Sequence, residues 1–68
     1  MPELKALAKN VKAKRKEFGE TQLTFALKCG LSQDEICLIE KGKANPRMET
    51  IQNIASYTGL TVTDLFKD

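Results

Sequence analysis

The chain has 68 residues, 41% hydrophobic and 29% charged, which is the composition of one small globular domain. A domain of this size buries only about 60% of the surface of its unfolded chain, which excludes a deep catalytic cleft. The net charge of +2 does not by itself indicate a polyanionic partner, but the charge is unevenly distributed. Residues 3–18 hold six basic and two acidic residues, whereas residues 33–40 hold three acidic residues and no basic one.

Other function classes are excluded by features that the sequence lacks. It has no apolar run of about 18 residues and no signal-peptide pattern, so we expect a cytoplasmic protein without a membrane partner. There are two cysteines and no histidine. Cys29 and Cys37 do not have zinc-site spacing and are expected to be reduced thiols, with no metal or cofactor. No catalytic histidine arrangement or glycine-rich phosphate loop is present, so no enzyme is predicted.

A first helix is predicted to begin at Pro2, whose missing N–H is tolerated in a first turn, and to end at Gly19. Its inward stripe, at helical spacing, is Leu4, Leu7, Ala8, Val11, Arg15 and Phe18. A guanidinium on this stripe needs a partner, because an unpaired buried charge is strongly destabilising. Glu40 occupies an equivalent inward position further along the chain, so we predict an Arg15–Glu40 ion pair. The alternative is that both charged ends extend into water.

The second helix is predicted to follow Thr21, a candidate N-cap, and to end at Cys29. Gly30 then suits a left-handed C-cap. The expected inward face is Phe25, Ala26 and Cys29. Leu23 and Leu27 form a separate i, i+4 pair on what should be the outer side of this helix, which we interpret mainly as a widened core stripe. A partner-binding surface is the alternative.

The third helix is predicted to begin at a capping box, in which Ser32 is the N-cap and Glu35 follows three residues later. Gly42 closes it. Its inward face is Ile36, Ile39 and Glu40. The turn between the second and third helices is too short for an antiparallel arrangement, so the helices must cross steeply. Residues 21–42 therefore predict a helix-turn-helix.

Pro46 disfavours helix at the residue before it, so residues 43–47 are predicted to form a loop. A fourth helix is predicted from about Met48 to Thr58, with Gly59 as its stop. Its expected inward face is Met48, Ile51, Ile54 and Ala55.

A last short helix is predicted to begin at Thr61, which forms an approximate capping box with Asp64. Leu65 and Phe66 are its apolar anchors. The predicted fold class is all-α: a compact five-helix domain, with residues 1–68 as a single helix-turn-helix domain.

The outward face of the third helix is the candidate binding surface, because a helix fits the major groove of B-form DNA. This face consists of Gln33, Asp34, Glu35, Cys37, Leu38 and Lys41. Gln33 suits paired hydrogen bonds to adenine N6 and N7. Gln22 and the free N–H groups of helix N-termini suit phosphates. Three basic residues follow where a loop would meet the DNA backbone: Lys41, Lys43 and Arg47.

These motifs resemble the lambdoid phage repressor and Cro (XRE-type) family of helix-turn-helix regulators from Val11 to Phe66. They are T-Q at residues 21–22, A-x-x-x-G at residues 26–30, S-Q-x-x-I-x-x-I-E-x-G at residues 32–42 and P-x-x-x-T-I-x-x-I-A at residues 46–55. The S-Q-x-x-I-C-x-x-E portion also resembles the POU-specific DNA-binding domain.

The resemblance implies a five-helix fold with the third helix in the major groove, and a homodimer on a two-fold-related operator in double-stranded DNA. It also implies the Arg15–Glu40 pair, and a dimer surface that involves the Pro46–Met48 loop and the last helix. The implied base contacts are Gln33, Asp34, Glu35 and Leu38. The implied backbone contacts are Gln22, Lys41, Lys43 and Arg47.

The chain departs from the family pattern at four positions. Asp34 and Glu35 place acids where relatives usually have neutral polar residues. For Asp34 the favoured interpretation is helix stabilisation, since first-turn acids gain about 0.3–1 kcal/mol from the helix dipole. Leu38 replaces an often polar position, and Glu20 replaces the apolar residue before the N-cap, which weakens the hydrophobic staple of the second helix.

The predicted function is sequence-specific DNA binding by a transcriptional regulator that acts as a repressor and needs no small-molecule ligand. The alternative is a helix-turn-helix module for protein contact, similar to an antitoxin or anti-repressor. It is suggested by the acidic third helix and by three outward leucines: Leu23, Leu27 and Leu38. A controller protein of a restriction–modification system is a further regulator role with the same motifs.

Overall fold

The computed structural model describes residues 2–68. Five helices follow one another in this part of the chain: α1 (Pro2–Glu17), α2 (Gln22–Cys29), α3 (Gln33–Glu40), α4 (Met48–Thr58) and α5 (Val62–Leu65). No strand occurs among the described residues. The predicted all-α, five-helix fold is confirmed.

Side-chain caps define the two helices of the helix-turn-helix. Thr21 Oγ1 accepts a hydrogen bond from the Thr24 N–H at 3.1 Å and begins α2. Gly30 ends α2 with a φ of 74°, in the left-handed region that favours glycine. Ser32 and Glu35 then form a reciprocal capping box, with N···O distances of 2.9 and 3.1 Å. Because both helices have only eight residues, they depend on these caps and on tertiary packing for stability.

One core holds the five helices together. It is formed by Leu7, Val11, Phe25, Ala26, Cys29, Ile36, Ile39, Ile51, Ile54 and Leu65. Every helix contributes at least one of these side chains, which is why even the four-residue α5 is held in place.

The end of α5 is fastened to α1 by one amide. Asn10 Nδ2 lies 3.2, 2.8 and 2.7 Å from the carbonyl oxygens of Asp64, Leu65 and Lys67. The Asp64 and Leu65 carbonyls belong to the last turn of α5, and Lys67 lies just beyond it, so one amide joins the end of the helix and the residues after it to α1. Thr61 and Asp64 form the predicted capping box at the other end of α5.

Four apolar expectations for individual positions are wrong, at Leu23, Leu27, Met48 and Phe18. Leu23 and Leu27 are 49% and 68% exposed, so they do not widen the core stripe. Met48 is 57% exposed instead of inward. It is the first residue of α4, and a helical side chain leans toward the N-terminus, which here carries it over the preceding loop. Thr58 is buried, with its hydroxyl donating to the Ile54 carbonyl at 2.8 Å.

Phe18 was expected in the inward stripe of α1 but lies one residue beyond its end and is partly exposed. Its ring packs edge-on against Tyr57, with ring centroids 5.4 Å apart. Phe18 therefore closes the rim of the core instead of entering it.

The exposure of α2 leucines gives a first prediction. Leu27→Ala should change the free energy of unfolding by less than about 0.5 kcal/mol, because little apolar surface is lost from the interior. Ile54→Ala, at a fully buried position, should cost about 2–5 kcal/mol. Urea denaturation of both variants measures the contrast. A comparable loss in the two variants would contradict the outward placement of Leu27.

Candidate nucleic-acid interface

α3 separates a core face from a solvent face. Ile36 and Ile39 are buried, whereas the four residues predicted to contact bases are exposed on the rest of the helix: Gln33, Asp34, Glu35 and Leu38. The Glu35 carboxylate also turns back to accept the Ser32 N–H at 2.9 Å. One carboxylate oxygen of Glu35 is therefore already engaged in capping the start of α3.

The orientation of α3 is set from behind by a buried ion pair. Arg15 Nε lies 2.7 Å from Glu40 Oε2, and Arg15 Nη2 lies 3.1 Å from Glu40 Oε1, which is a bidentate arrangement. The side chains of Arg15 and Glu40 are only 14% and 5% exposed, so the alternative that both extend into water does not hold. The hydrogen bonds to Glu40 raise the pKa of Arg15 further above neutral pH, so the pair consists of a charged guanidinium and its carboxylate partner.

Two further contacts extend this pair to α2. Arg15 Nη1 donates to the Glu20 carbonyl at 2.9 Å, in the link between α1 and α2. Gln22 Nε2, in the first turn of α2, donates to Glu40 Oε1 at 3.2 Å. Gln22, predicted at a phosphate, is thus partly buried and attached to the ion pair. These hydrogen bonds fix the position of the first turn of α2 relative to the end of α3.

The predicted backbone-contact residues lie beside this helix. Lys41 and Lys43 are exposed in the segment after α3, and Arg47 is the exposed N-cap residue of α4, without a side-chain cap bond. Arg47 lines an open groove of about 540 Å³ between the helix-turn-helix and α4, and Glu35 and Leu38 line the same groove. The structure therefore brings residues from the predicted base and backbone sets to one surface.

Sequence reasoning missed a second polar cluster, around Glu20. Its Oε2 accepts hydrogen bonds from Tyr57 Oη at 2.6 Å and from Lys28 Nζ at 2.8 Å. The side chain is only 10% exposed, and within residues 2–68 its other oxygen is buried without a partner. Instead of simply losing the hydrophobic staple, the link before α2 gains a polar connection to the end of α2 and to α4. The three residues lie far apart in sequence, so no local spacing indicates the cluster.

The contacts within the Glu20 cluster also shift the pKa values of Glu20 and Tyr57. The hydrogen bonds from Lys28 and then Tyr57 lower the pKa of Glu20. Burial, followed by the hydrogen bond to Glu20, raises the pKa of Tyr57. Glu20 is therefore a carboxylate and Tyr57 a phenol at neutral pH, which is the pairing that the 2.6 Å contact requires.

The helix-turn-helix family model matches residues 11–65 of the chain. The chain belongs to the helix-turn-helix family of transcriptional regulators. An uncharacterized HTH-type transcriptional regulator from Archaeoglobus fulgidus is 36% identical over 52 residues, covering 76% of this chain and 74% of that protein. A second, from Methanocaldococcus jannaschii, is 39% identical over 46 residues, covering 68% of this chain and 70% of that protein. Since this family consists of regulators, the chain is not an enzyme.

Two crystal structures have the same fold. The hypothetical transcription factor NHTF from Neisseria has a TM-score of 0.88 and 25% identity, covering 96% of this chain and 75% of that one. The restriction-modification controller protein C.AhdI from Aeromonas hydrophila has a TM-score of 0.86 and 23% identity, covering 97% of this chain and all of that one (100%). The likeness to C.AhdI concerns the fold alone.

The described part of this helix-turn-helix regulator offers neither a metal site nor a membrane-spanning helix. Residues 2–68 contain no group of histidine, cysteine or acidic side chains that could hold a metal ion. None of their helices is long and apolar enough to cross a bilayer. Cys29 is buried in the core, and the loss of solvent raises the pKa of its thiol to about 11. It is therefore a protonated core side chain at neutral pH.

The ion pair behind α3 gives a stability prediction. Arg15→Met should lower the free energy of unfolding by about 3–5 kcal/mol, because Glu40 is left buried without its cation. The double variant Arg15→Met/Glu40→Leu should recover most of this loss, since neither charge remains. Urea denaturation at neutral pH measures both variants. Lys14→Met is the control on the same helix, because its pair with Glu17 is more exposed and is worth less than about 1 kcal/mol. An Arg15→Met loss no larger than the control would contradict the structural importance of the pair.

The Glu20 cluster gives a pH prediction. The folded-state pKa of Glu20 lies below its ordinary value of 4.5, so its stabilisation is complete above that pH and disappears as pH falls through the lowered pKa. Glu20→Gln should therefore be less stable than the parent at neutral pH, with the difference narrowing on acidification below 4.5. Denaturation curves across this range test it. Glu17→Gln changes the charge equally at an exposed position and should have a much smaller effect. A Glu20→Gln difference that is independent of pH would refute the coupling.

Proposed function

We propose that this regulator binds double-stranded DNA sequence-specifically, with α3 in the major groove, and acts as a repressor in the cytoplasm. The observation that carries the proposal is the solvent face of α3. It presents polar and apolar side chains outward while the Arg15–Glu40 pair and Gln22 hold the helix from behind. A helix of this width fits the groove, and its exposed first turn brings side chains to the base edges.

Base reading is assigned to Gln33, Asp34, Glu35 and Leu38. Gln33 would donate to adenine N7 and accept from adenine N6, and Leu38 would contact a thymine methyl. Asp34 and Glu35 would accept from cytosine N4, at the cost of repulsion from nearby phosphates. Both acids also stabilise the helix N-terminus, and Glu35 already does so through its bond to Ser32. For both acids, contact with cytosine is therefore a second role. For Asp34, stabilisation of the helix N-terminus is the first.

Backbone contact is assigned to Gln22, Lys41, Lys43 and Arg47. The Gln22 amide nitrogen carries two hydrogens. One is directed to Glu40, and the other would reach a phosphate near the start of α2. Lys41 and Lys43 would contact phosphates, and Arg47 would approach a phosphate or the minor groove. These contacts fix the position of α3 on the duplex but carry no sequence information.

The regulator is proposed to bind as a homodimer, with two copies on half-sites about 34 Å apart. The proposed dimer surface consists of the Pro46–Met48 loop and the C-terminal helix. The exposure of Met48 supports this placement, because it offers an apolar side chain where this segment enters α4. No small-molecule effector is proposed, so occupancy of the operator would follow protein concentration.

Selection of binding sites from random duplexes at near-physiological salt tests the function. We expect one enriched, two-fold-symmetric motif whose half-site spacing reports the dimer. On that motif, Gln33→Ala should cost about 1–3 kcal/mol and relax preference at one base pair. Lys43→Ala is the matched variant. It should weaken all sequences alike and reduce the salt slope of binding by about 0.9. If Gln33→Ala weakened every sequence equally, it would not be a base-reading residue.

A second candidate function is protein contact through the helix-turn-helix. The exposure of three leucines on α2 and α3, together with the acids of α3, favours it: Leu23, Leu27 and Leu38. This function predicts saturable binding to a protein and only weak DNA binding that about 200 mM salt abolishes. If folded protein enriched no motif, the sequence-specific function would be abandoned and these leucines would become the residues to substitute.

A further inference from the structure

The solvent side of α1 carries a row of four lysines that the proposed function does not use: Lys5, Lys9, Lys12 and Lys16. Their spacings of four, three and four residues place them within an arc of about 60° on one helix face. The row extends about 16 Å along the helix axis. All four residues are exposed. We call this set the α1 lysine row.

The fold does not need the α1 lysine row. The other two basic residues of α1 have carboxylate partners, Lys14 with Glu17 at 2.8 Å and Arg15 with Glu40 at 2.7 Å. No lysine of the row lies within 4.0 Å of a carboxylate in the described part of the chain. Like charges at i, i+4 are destabilising by about 0.2–0.5 kcal/mol per pair. A face that serves only solubility normally mixes both signs, so this one indicates a polyanionic partner.

The row adjoins the proposed DNA interface. Gly42 lies against the first turn of α1, where a Cβ on this glycine would be 3.9 Å from the Leu4 carbonyl oxygen. Lys41 and Lys43, on either side of Gly42, are the proposed backbone contacts. Around α1, the row lies about 90° from Arg15, which points to α3, and about 130° from Asn10, which points to α5. The row is therefore on the α3 side of the helix.

We propose that the α1 lysine row binds phosphates of the duplex beside α3, so that one cationic surface runs from Lys41 and Lys43 onto α1, beginning at Lys5 and Lys9. The inference rests on the DNA binding proposed above. Duplex DNA carries one negative charge per about 1.7 Å of its axis, and this density matches a row of four unpaired ammonium groups better than the scattered acids of a protein surface. An acidic protein partner is the alternative that the test must separate.

The test compares the salt dependence of binding for the parent and Lys5→Gln/Lys9→Gln. If each lysine neutralises one phosphate, the double variant should reduce the slope of log K against log salt by about 1.8. Lys14→Gln/Lys67→Gln is the matched control. It removes the same charge from lysines that have carboxylate partners, and its slope should equal that of the parent. Circular dichroism verifies that the three proteins fold equally.

The measurement uses the selected operator and a scrambled duplex of the same length. Phosphate contacts carry no sequence information, so the slope should fall by the same amount on both duplexes. An unchanged slope in Lys5→Gln/Lys9→Gln, as an acidic protein partner would predict, overturns the inference. An equal fall in the control also overturns it, because the effect would then be general charge. If the protein bound both duplexes without preferring the operator, only the proposed sequence-specific function would be refuted. If it bound no duplex, that function and the inference about the α1 lysine row would both be refuted.

Discussion

The arrangement of this domain depends on one guanidinium. Arg15 contacts α3 through Glu40 and the α1–α2 link through the Glu20 carbonyl, while Gln22 of α2 joins the same carboxylate. An eight-residue helix is too short to be stable or to hold its direction by itself. The core limits how α2 and α3 approach, but apolar contact is not directional. The planar, bidentate pair adds direction. Its contribution is therefore geometric as well as energetic, since buried ion pairs are often no more stabilising than apolar replacements.

Charge is divided between the centre and the edges of the proposed DNA surface. The first turn of α3 is acidic, which suits the helix dipole but opposes phosphates. The basic side chains lie at the edges of this surface: Lys41 and Lys43 in the segment after α3, and the α1 lysine row. In the proposed complex, affinity would come from the margins and selectivity from the few side chains at the centre. Such a division makes binding dependent on salt while leaving base preference to α3.

A second polar link replaces an apolar contact of the family pattern. Glu20 lies where an apolar side chain would pack before the N-cap of α2, yet its carboxylate is held by Tyr57 and Lys28. This connects α4 to the link before α2 and to the end of α2, at the same residue whose carbonyl accepts a hydrogen bond from Arg15. The ring of Tyr57 also packs against Phe18 and Phe25, and the centroids of the three rings are 5.4 to 6.5 Å apart. α2 is thus held by two sets of polar contacts as well as by its buried face.

The sequence by itself determined the helix boundaries and the core, because caps, glycine stops and apolar periodicity act over three or four residues. It also indicated the Arg15–Glu40 pair, since each residue stood as a lone charge on an apolar stripe and needed the other. Only the tertiary structure decided that Met48 faces solvent, that Leu23 and Leu27 do not widen the core stripe, and that Glu20 is enclosed. Whether a side chain beside a stripe is covered depends on which helix packs against it and at what angle. Those angles result from contacts between residues far apart in the chain, and no local spacing records them.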